Sequence, residues 1–168
     1  MSSDITIILT LFRTPLKNLH QLNQYKKFKV ILFEQNTLKN NKKDLKKILR
    51  FNFDYFFSSR NLGLSKSSNF IFSKVKTRYC LFTQPDILID NFAIKNLRKI
   101  IKKDKKTIFV TPKFSKKRIK KISKKTLSYK IVKKINAACI LCDVNKLKKI
   151  GFFDEDFFLY WEDIFLMR

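Results

Sequence analysis

Glycine is nearly absent from this chain, with only Gly63 and Gly151 among 168 residues. A phosphate-cradling loop of the dinucleotide or Walker type needs glycines in close succession, so both fingerprints are excluded. Cysteine is scarce and odd in number: Cys80, Cys139 and Cys142. A single Cys-x-x-Cys pair with neither a second pair nor a nearby histidine makes a poor zinc site, and three thiols leave at least one unpaired. The expectation is buried free thiols in a reducing compartment. The one histidine, His20, falls on a helical segment that can turn it to solvent, and it receives no role. No apolar run approaches the roughly 20 residues needed to span a bilayer. The N-terminus lacks the basic leader and small-residue cleavage site of a signal peptide, so a cytoplasmic protein is expected.

Acid is the other shortage. Against 38 Lys and Arg stand 13 Asp and Glu, a net charge of +25. Such an excess suggests nucleic acid, but lysine outnumbers arginine 31 to 7, and Asn, Ile and Phe are also abundant, as A/T-rich coding favours. A reader of nucleic acid more often uses the planar fork of arginine, so nucleic acid is disfavoured as a partner. The charge is also uneven: residues 95–134 hold 18 Lys and Arg and one acid, Asp104. Anionic lipid headgroups suit that segment at least as well.

What is present is ordinary globular material, 45% hydrophobic with 18 phenylalanines and long enough for one domain with a real core. Strand-like and helix-like periods alternate. Residues 5–11, 28–33, 53–57, 79–82, 107–110 and 136–141 read as strands. Thr14 and Pro15 read as a helix cap and first helical position, followed by Leu16, Leu19, Leu22 and Tyr25 at helical spacing. Further helices are expected from Leu38 to Leu49, over 65–75, after a capping Asp90, and from a capping Asp143 to Gly151. Residues 113–134 read as a loop or a solvated hairpin. Alternation at this spacing predicts βαβ units and a single α/β domain with a mainly parallel sheet flanked by helices. Ligands of such sheets bind outside the carboxyl ends of the strands. Four of those ends carry polar residues: Arg13 and Thr14; Glu34, Gln35 and Asn36; Asn61 to Gly63; Gln84 to Asp86.

Asp86, fixed by the preceding proline, suits a hard cation held jointly with a diphosphate, or is simply a turn aspartate. Glu34 is placed to accept hydrogen bonds from a nucleobase or ribose, or to be solvated. Gly63 permits close backbone approach. The densest signal is residues 151–168, where five of the 13 acids are interleaved with five phenylalanines, Tyr160 and the lone Trp161. Acids set among aromatics are costly to bury without a purpose. Glu162 and Asp163 cap a helix, or supply a general base.

Taken together, these pieces resemble a family 2 glycosyltransferase of the GT-A fold, near its rhamnosyltransferase-like branch. The matching motifs are Arg13, Thr14 and Pro15 after the first strand; Phe33 to Asn36; Arg60 to Gly63 followed by Asn69; Thr83 to Asp86; and the block from Gly151 to Asp163. The resemblance implies one GT-A domain over 1–168, with a nucleotide-sugar part at 1–90 and an acceptor side at 135–168. It implies donor contacts from Thr10, Arg13, Glu34, Asn61, Gly63, Asn69 and Asp86, with Asp86 also holding a divalent cation, Mg²⁺ or Mn²⁺. It implies Asp163 as general base, with Asp154, Glu155, Trp161 and Glu162 on the acceptor side. The implied reaction is an inverting transfer from a nucleotide-sugar to a glycan or lipid-linked hydroxyl, in cell-envelope polysaccharide synthesis. The implied location is the cytoplasm, with peripheral contact at the inner face of the plasma membrane. Two departures stand out. Phe165 occupies the place of the family's second acid, and the chain stops at Arg168 where the family continues, so a C-terminally truncated copy, a fragment, or a half whose remainder is encoded separately is expected, with impaired activity. The competing expectation is an inactive domain of the same fold that applies its basic face to anionic membrane or glycan.

Overall fold

In the computed structural model, residues 4–113, 129–132 and 138–159 are described. Six strands form one sheet: β1 (Ile5–Phe12), β2 (Lys29–Gln35), β3 (Asp54–Ser58), β4 (Tyr79–Thr83), β5 (Phe109–Val110) and β6 (Cys139–Asp143). Around them lie a 3₁₀ helix (Leu16–Tyr25) and the helices α1 (Lys42–Ile48), α2 (Gly63–Lys74), α3 (Asn91–Lys103) and α4 (Val144–Lys149). The sheet order is β3-β2-β1-β4-β6-β5. The pairs β1–β2, β2–β3 and β1–β4 are parallel, whereas β6 runs antiparallel to both β4 and β5. The architecture is thus the mainly parallel α/β sheet expected from the alternation of periods, with one strand reversed.

Period two along the strands sorts the core into two layers. Ile7, Leu9, Leu32 and Leu81 face the 3₁₀ helix, α1 and α3, where they meet Leu22, Leu45 and Ile94. Ile8, Phe33, Cys80 and Phe82 face the other way, toward Ile71 and Phe72 of α2 and Leu147 of α4. A strand buried on both faces has no reason to alternate polar and apolar residues, which is why β1 reads as a continuous apolar run. Asp90 caps α3 as expected, its Oδ1 accepting from Ala93 N at 2.6 Å. Asp143 caps α4 through Lys146 N at 3.3 Å, and Gly151 follows that helix at φ +80°. Arg98 on α3 grips Asp4 through Nε and Nη2, the closest contact being 2.6 Å, and so ties the helix to the start of β1.

The first helical segment differs from expectation. Thr14 is not its cap: the Thr14 hydroxyl turns back to the Phe12 carbonyl, and extended Pro15 precedes the first turn. The helix is 3₁₀, and its apolar residues explain why. Leu16, Leu19, Leu22 and Tyr25 recur every third residue, matching three residues per turn, so one narrow stripe packs onto the sheet without drift. The region 113–134, expected as loop or hairpin, lies mostly outside the described residues, and so does the beginning of the strand expected at 136–141.

Cys80, Cys139 and Cys142 are free and buried. Burial pushes the Cys139 thiol up to about 11, and burial, with Cys142 facing it across the β4–β6 pair, also raises Cys80 well above the ordinary thiol range. At pH 8 roughly one Cys139 in a thousand is thiolate, and none is accessible. Iodoacetamide is therefore expected to leave all three thiols unmodified in the native protein and to label all three in denaturant, read by intact mass. Labelling of native Cys139 would contradict the packing of β6 between β4 and β5. No helix among the described residues is long and apolar enough to cross a membrane.

Candidate functional site

Because their pairings are parallel, β1, β2, β3 and β4 deliver their carboxyl ends to one edge of the sheet. Two non-glycine residues there have left-handed backbone, Arg13 at φ +48° after β1 and Asn36 at φ +61° after β2. Each such residue costs on the order of 1 kcal/mol and persists only where its surroundings hold it. Here they hold each other. With the Asn36 amide oriented to satisfy both groups, its oxygen lies 2.6 Å from Arg13 Nε and 3.0 Å from Nη2. The exposed guanidinium also stacks 5.5 Å above the Phe12 ring. Its remaining N–H donors stay available for an anion.

Next to this pair, Glu34 is 8% exposed. Its Oε1 accepts from Asn41 Nδ2 at 2.9 Å and its Oε2 from the Tyr55 hydroxyl at 2.5 Å. Burial, followed by that bond to the carboxylate, raises the Tyr55 phenol well above its ordinary range. A carboxylate held on both oxygens keeps a lone pair on each and has little freedom to turn, which suits it to receive donors from a ligand. Sequence reading found Glu34 but neither partner. Tyr55 was discoverable only through register: Phe57 pairs with Glu34 on β3, and Tyr55 is its diagonal neighbour on the same face.

Gln35 is buried, and its Oε1 accepts from Leu62 N at 2.9 Å, drawing the loop after β3 against the end of β2. Asn61 opens α2, its Oδ1 accepting from Gly63 N at 3.0 Å. Gly63 does permit a close approach, but of the chain itself. The carbonyl oxygen of Phe158 accepts from Leu64 N at 2.7 Å, and a Cβ on Gly63 would collide with it. Asn69 is likewise committed within the protein. Its Nδ2 donates to the Phe153 carbonyl at 2.8 Å and to Glu155 Oε1 at 3.0 Å, while its Oδ1 accepts from Phe153 N at 3.0 Å. Gly63 and Asn69, expected as donor contacts, are thus engaged in holding the C-terminal block. Thr10 lies near the end of β1 with its Oγ1 buried and lacking a hydrogen-bond partner among the described residues.

Asp86 stands exposed in the turn after β4, closed by Ile87 N donating to Gln84 O at 3.1 Å. Gln21 of the 3₁₀ helix holds that turn by donating to the Pro85 carbonyl. No group of three or more His, Cys, Asp or Glu that could cage a metal exists among the described residues. One exposed carboxylate nonetheless fits a hard cation that takes its other ligands from a diphosphate and water.

The acid and phenylalanine block separates by face. Phe152 and Phe153 pack on Phe72 at ring distances of 5.9 and 6.1 Å, and Phe153 meets Phe82 at 6.3 Å. Asp154, Glu155 and Asp156 point outward, with Asp154 Oδ1 accepting from Asp156 N at 3.0 Å. From Asn69 to Gly63 the block runs back along α2, arriving at the sheet edge that carries Arg13 and Glu34. Asp154 and Glu155, expected on the acceptor side, spend side-chain oxygens on shaping and pinning this turn. Trp161, Glu162 and Asp163 lie outside the described residues.

The sequence profile described as "Glycosyl transferase family 2" matches residues 12–166. No curated protein sequence matches the chain. The solved structure of S. aureus TarS 1-349 superposes with a TM-score of 0.70 at 16% identity, covering 98% of this chain and 54% of that one. The same TarS fragment in complex with UDP-GlcNAc gives 0.67 at 16% identity, covering 98% and 52%. The mannosyltransferase PcManGT from Pyrobaculum calidifontis, in complex with GDP-Man and Mn²⁺, gives 0.68 at 11% identity, covering 97% and 50%. At such identities the likeness establishes a shared fold. The chain spans about half the length of these structures.

Proposed function

The chain belongs to glycosyl transferase family 2, and from that premise we propose that it moves a sugar from a nucleotide-sugar donor to a hydroxyl of an acceptor, with inversion. The observation that carries this reading is the gathering of Arg13, Glu34 and Asn36 at the carboxyl edge of the sheet that also bears Asp86. TarS is solved with UDP and with UDP-GlcNAc, and PcManGT with GDP-Man and Mn²⁺, which supports a nucleotide-sugar as the donor class here.

In this reading Glu34, held by Asn41 and Tyr55, accepts hydrogen bonds from the nucleobase or ribose. Arg13 presents its free N–H donors to donor oxygens, and Thr10, Asn61 and Gln35 shape the floor and rim. Asp86 holds Mg²⁺ or Mn²⁺, which when bound offsets the charge developing on the departing diphosphate. Asp163 removes the proton of the acceptor hydroxyl on the opposite face, and Trp161 and Glu162 line that side. The rhamnosyltransferase-like branch, a glycan or lipid-linked acceptor, cell-envelope polysaccharide synthesis and a place at the inner face of the plasma membrane belong to the same proposal and rest on the motif resemblance.

Thermal unfolding with UDP-GlcNAc, UDP-glucose, dTDP-rhamnose and GDP-mannose, each with and without Mn²⁺, tests it. At a hundredfold excess over Kd the matching donor is expected to raise Tm by about 5–10 °C. Asp86→Ala is expected to remove the Mn²⁺-dependent part of that rise. No shift with any donor overturns the proposal, and a shift without transfer to any acceptor favours an inactive donor-binding domain.

A further inference from the structure

The outer face of α3 combines a lysine stripe with exposed apolar side chains. The helix buries Ile94, Leu97 and Ile101 against the sheet, so Phe92, Lys95, Lys99 and Lys102 share the opposite, solvent face at helical spacing. Large apolar side chains are also exposed around that face: Leu88 at 60%, Phe92 at 48% and, beyond the helix end, Tyr129 at 50% and Ile131 at 93%. Lys103 Nζ sits 5.7 Å from the centre of the Tyr129 ring, joining the helix to residues 129–132 as one surface.

The acids flanking this surface do not neutralise it. Asp90 and Asp104, at the two ends of the helix, keep their charge but are two against Lys95, Lys99, Lys102, Lys103, Lys105 and Lys106. Exposed apolar side chains interleaved with lysines match a bilayer interface, where the ammonium groups meet anionic headgroups and the apolar groups enter the acyl boundary. Nucleic acid would be met more by arginine forks than by lysines, and the aliphatic Leu88 and Ile131 beside Phe92 and Tyr129 suit an acyl boundary better than a stack of bases.

We infer that the outer face of α3, with Leu88 and Phe92 as apolar anchors and Lys95, Lys99 and Lys102 as the charged stripe, docks this protein on an anionic lipid bilayer. Leu88 lies two residues beyond Asp86, and α3 starts at the sheet edge that carries the site. Docking therefore sets the mouth of the site at the membrane surface. The acceptor class it selects is a hydroxyl borne on a membrane-anchored molecule. The docking face gives residues to the membrane location proposed above, and the acceptor class rests on that proposed function.

The test is co-sedimentation of the full chain with vesicles of phosphatidylcholine alone and of phosphatidylcholine with 30% phosphatidylglycerol. Binding is expected only to the second and is expected to fall steeply between 0.1 and 0.5 M NaCl. Lys95→Gln, Lys99→Gln and Lys102→Gln combined are expected to weaken partitioning by roughly 100-fold. Leu88→Ser with Phe92→Ser is expected to weaken it at least tenfold and to make the residual binding wholly salt-sensitive. Lys42→Gln, Lys43→Gln and Lys46→Gln on α1 remove equal charge and are expected to change it no more than threefold.

Equal losses from the two lysine sets overturn the inference, because net charge alone then explains binding. So does the absence of vesicle binding, or a 20-nucleotide RNA that binds through the same lysines while vesicles do not. The donor-induced shift in Tm, measured on the same variants, separates the two proposals. Vesicle binding lost with the shift retained removes the docking face alone. Vesicle binding retained with no shift in the parent chain removes the proposed reaction alone.

Discussion

Asp163→Asn is expected to slow sugar transfer by roughly 10²–10⁴-fold while leaving the donor-induced rise in Tm unchanged. The amide keeps the size of the side chain but cannot take a proton, so only the activation of the acceptor hydroxyl is lost. The proposed donor contacts Arg13, Glu34 and Asp86 lie far from Asp163 in sequence, and the Arg13–Asn36 and Glu34–Asn41–Tyr55 bonds do not involve it. The pH profile distinguishes this from a folding defect. In the parent chain, transfer rises as the base loses its proton, whereas the residual rate of the variant lacks that limb. Transfer within threefold of the parent would remove Asp163 as the base. The matching Glu162→Gln variant would then identify whether its neighbour takes the role.

The second large effect is on stability. Gly63→Val is expected to destabilise the protein by about 2–4 kcal/mol and to release the segment from Asn69's grip to Phe158, read by urea midpoint and by proteolysis within 152–159. Two causes add. Gly63 has φ +75°, which a β-branched residue adopts only with strain. Its new Cβ would also collide with the Phe158 carbonyl oxygen and lie 2.8 Å from the Phe158 ring carbon Cδ2, displacing both and breaking the bond from Leu64 N. Gly151→Ala supplies the control, because Gly151 has φ +80° but nothing within 4 Å of an added Cβ. Its expected cost is backbone strain alone, about 1 kcal/mol, with the proteolytic pattern unchanged. If both variants open the segment equally, the Phe158 contact does not hold it.

These two glycines illustrate what the sequence discloses and what it withholds. That each needs special backbone is legible in one dimension, because so few glycines remain in the chain. What approaches Gly63 is not, since Phe158 lies far along the sequence and a carbonyl contact leaves no periodic trace. Asn69 behaves the same way. Its motif position suggests a ligand, yet its amide is spent on Phe153 and Glu155 across 84 and 86 residues. The strands were readable because burial on both faces writes itself as unbroken apolar runs. The reversal of β6 was not, because Cys139 to Asp143 is equally apolar whichever way it points. The 3₁₀ segment is half readable: the threefold recurrence of Leu16, Leu19, Leu22 and Tyr25 is visible, but over ten residues the pattern does not separate a period of 3.0 from the 3.6 of an α-helix. Glu34 was found from its strand end, whereas the residues that fix it, Asn41 and Tyr55, needed the neighbouring strand in register.

The place of β6 in the sheet also orders events at the ribosome. β4 and β5 are made first but never pair, since β6 lies between them. Until residues 139–143 emerge, the edge of β4 has no partner on that side, and the two-residue β5 has none at all. At about 5–20 residues per second the nascent chain carries that open edge for seconds. Its backbone groups stand unpaired meanwhile, which is when a strand is most prone to pair with another chain. The last strand of the sheet among the described residues thus slips in one place from its edge, and this side of the fold is completed by insertion between β4 and the short β5 rather than by simple addition outside them.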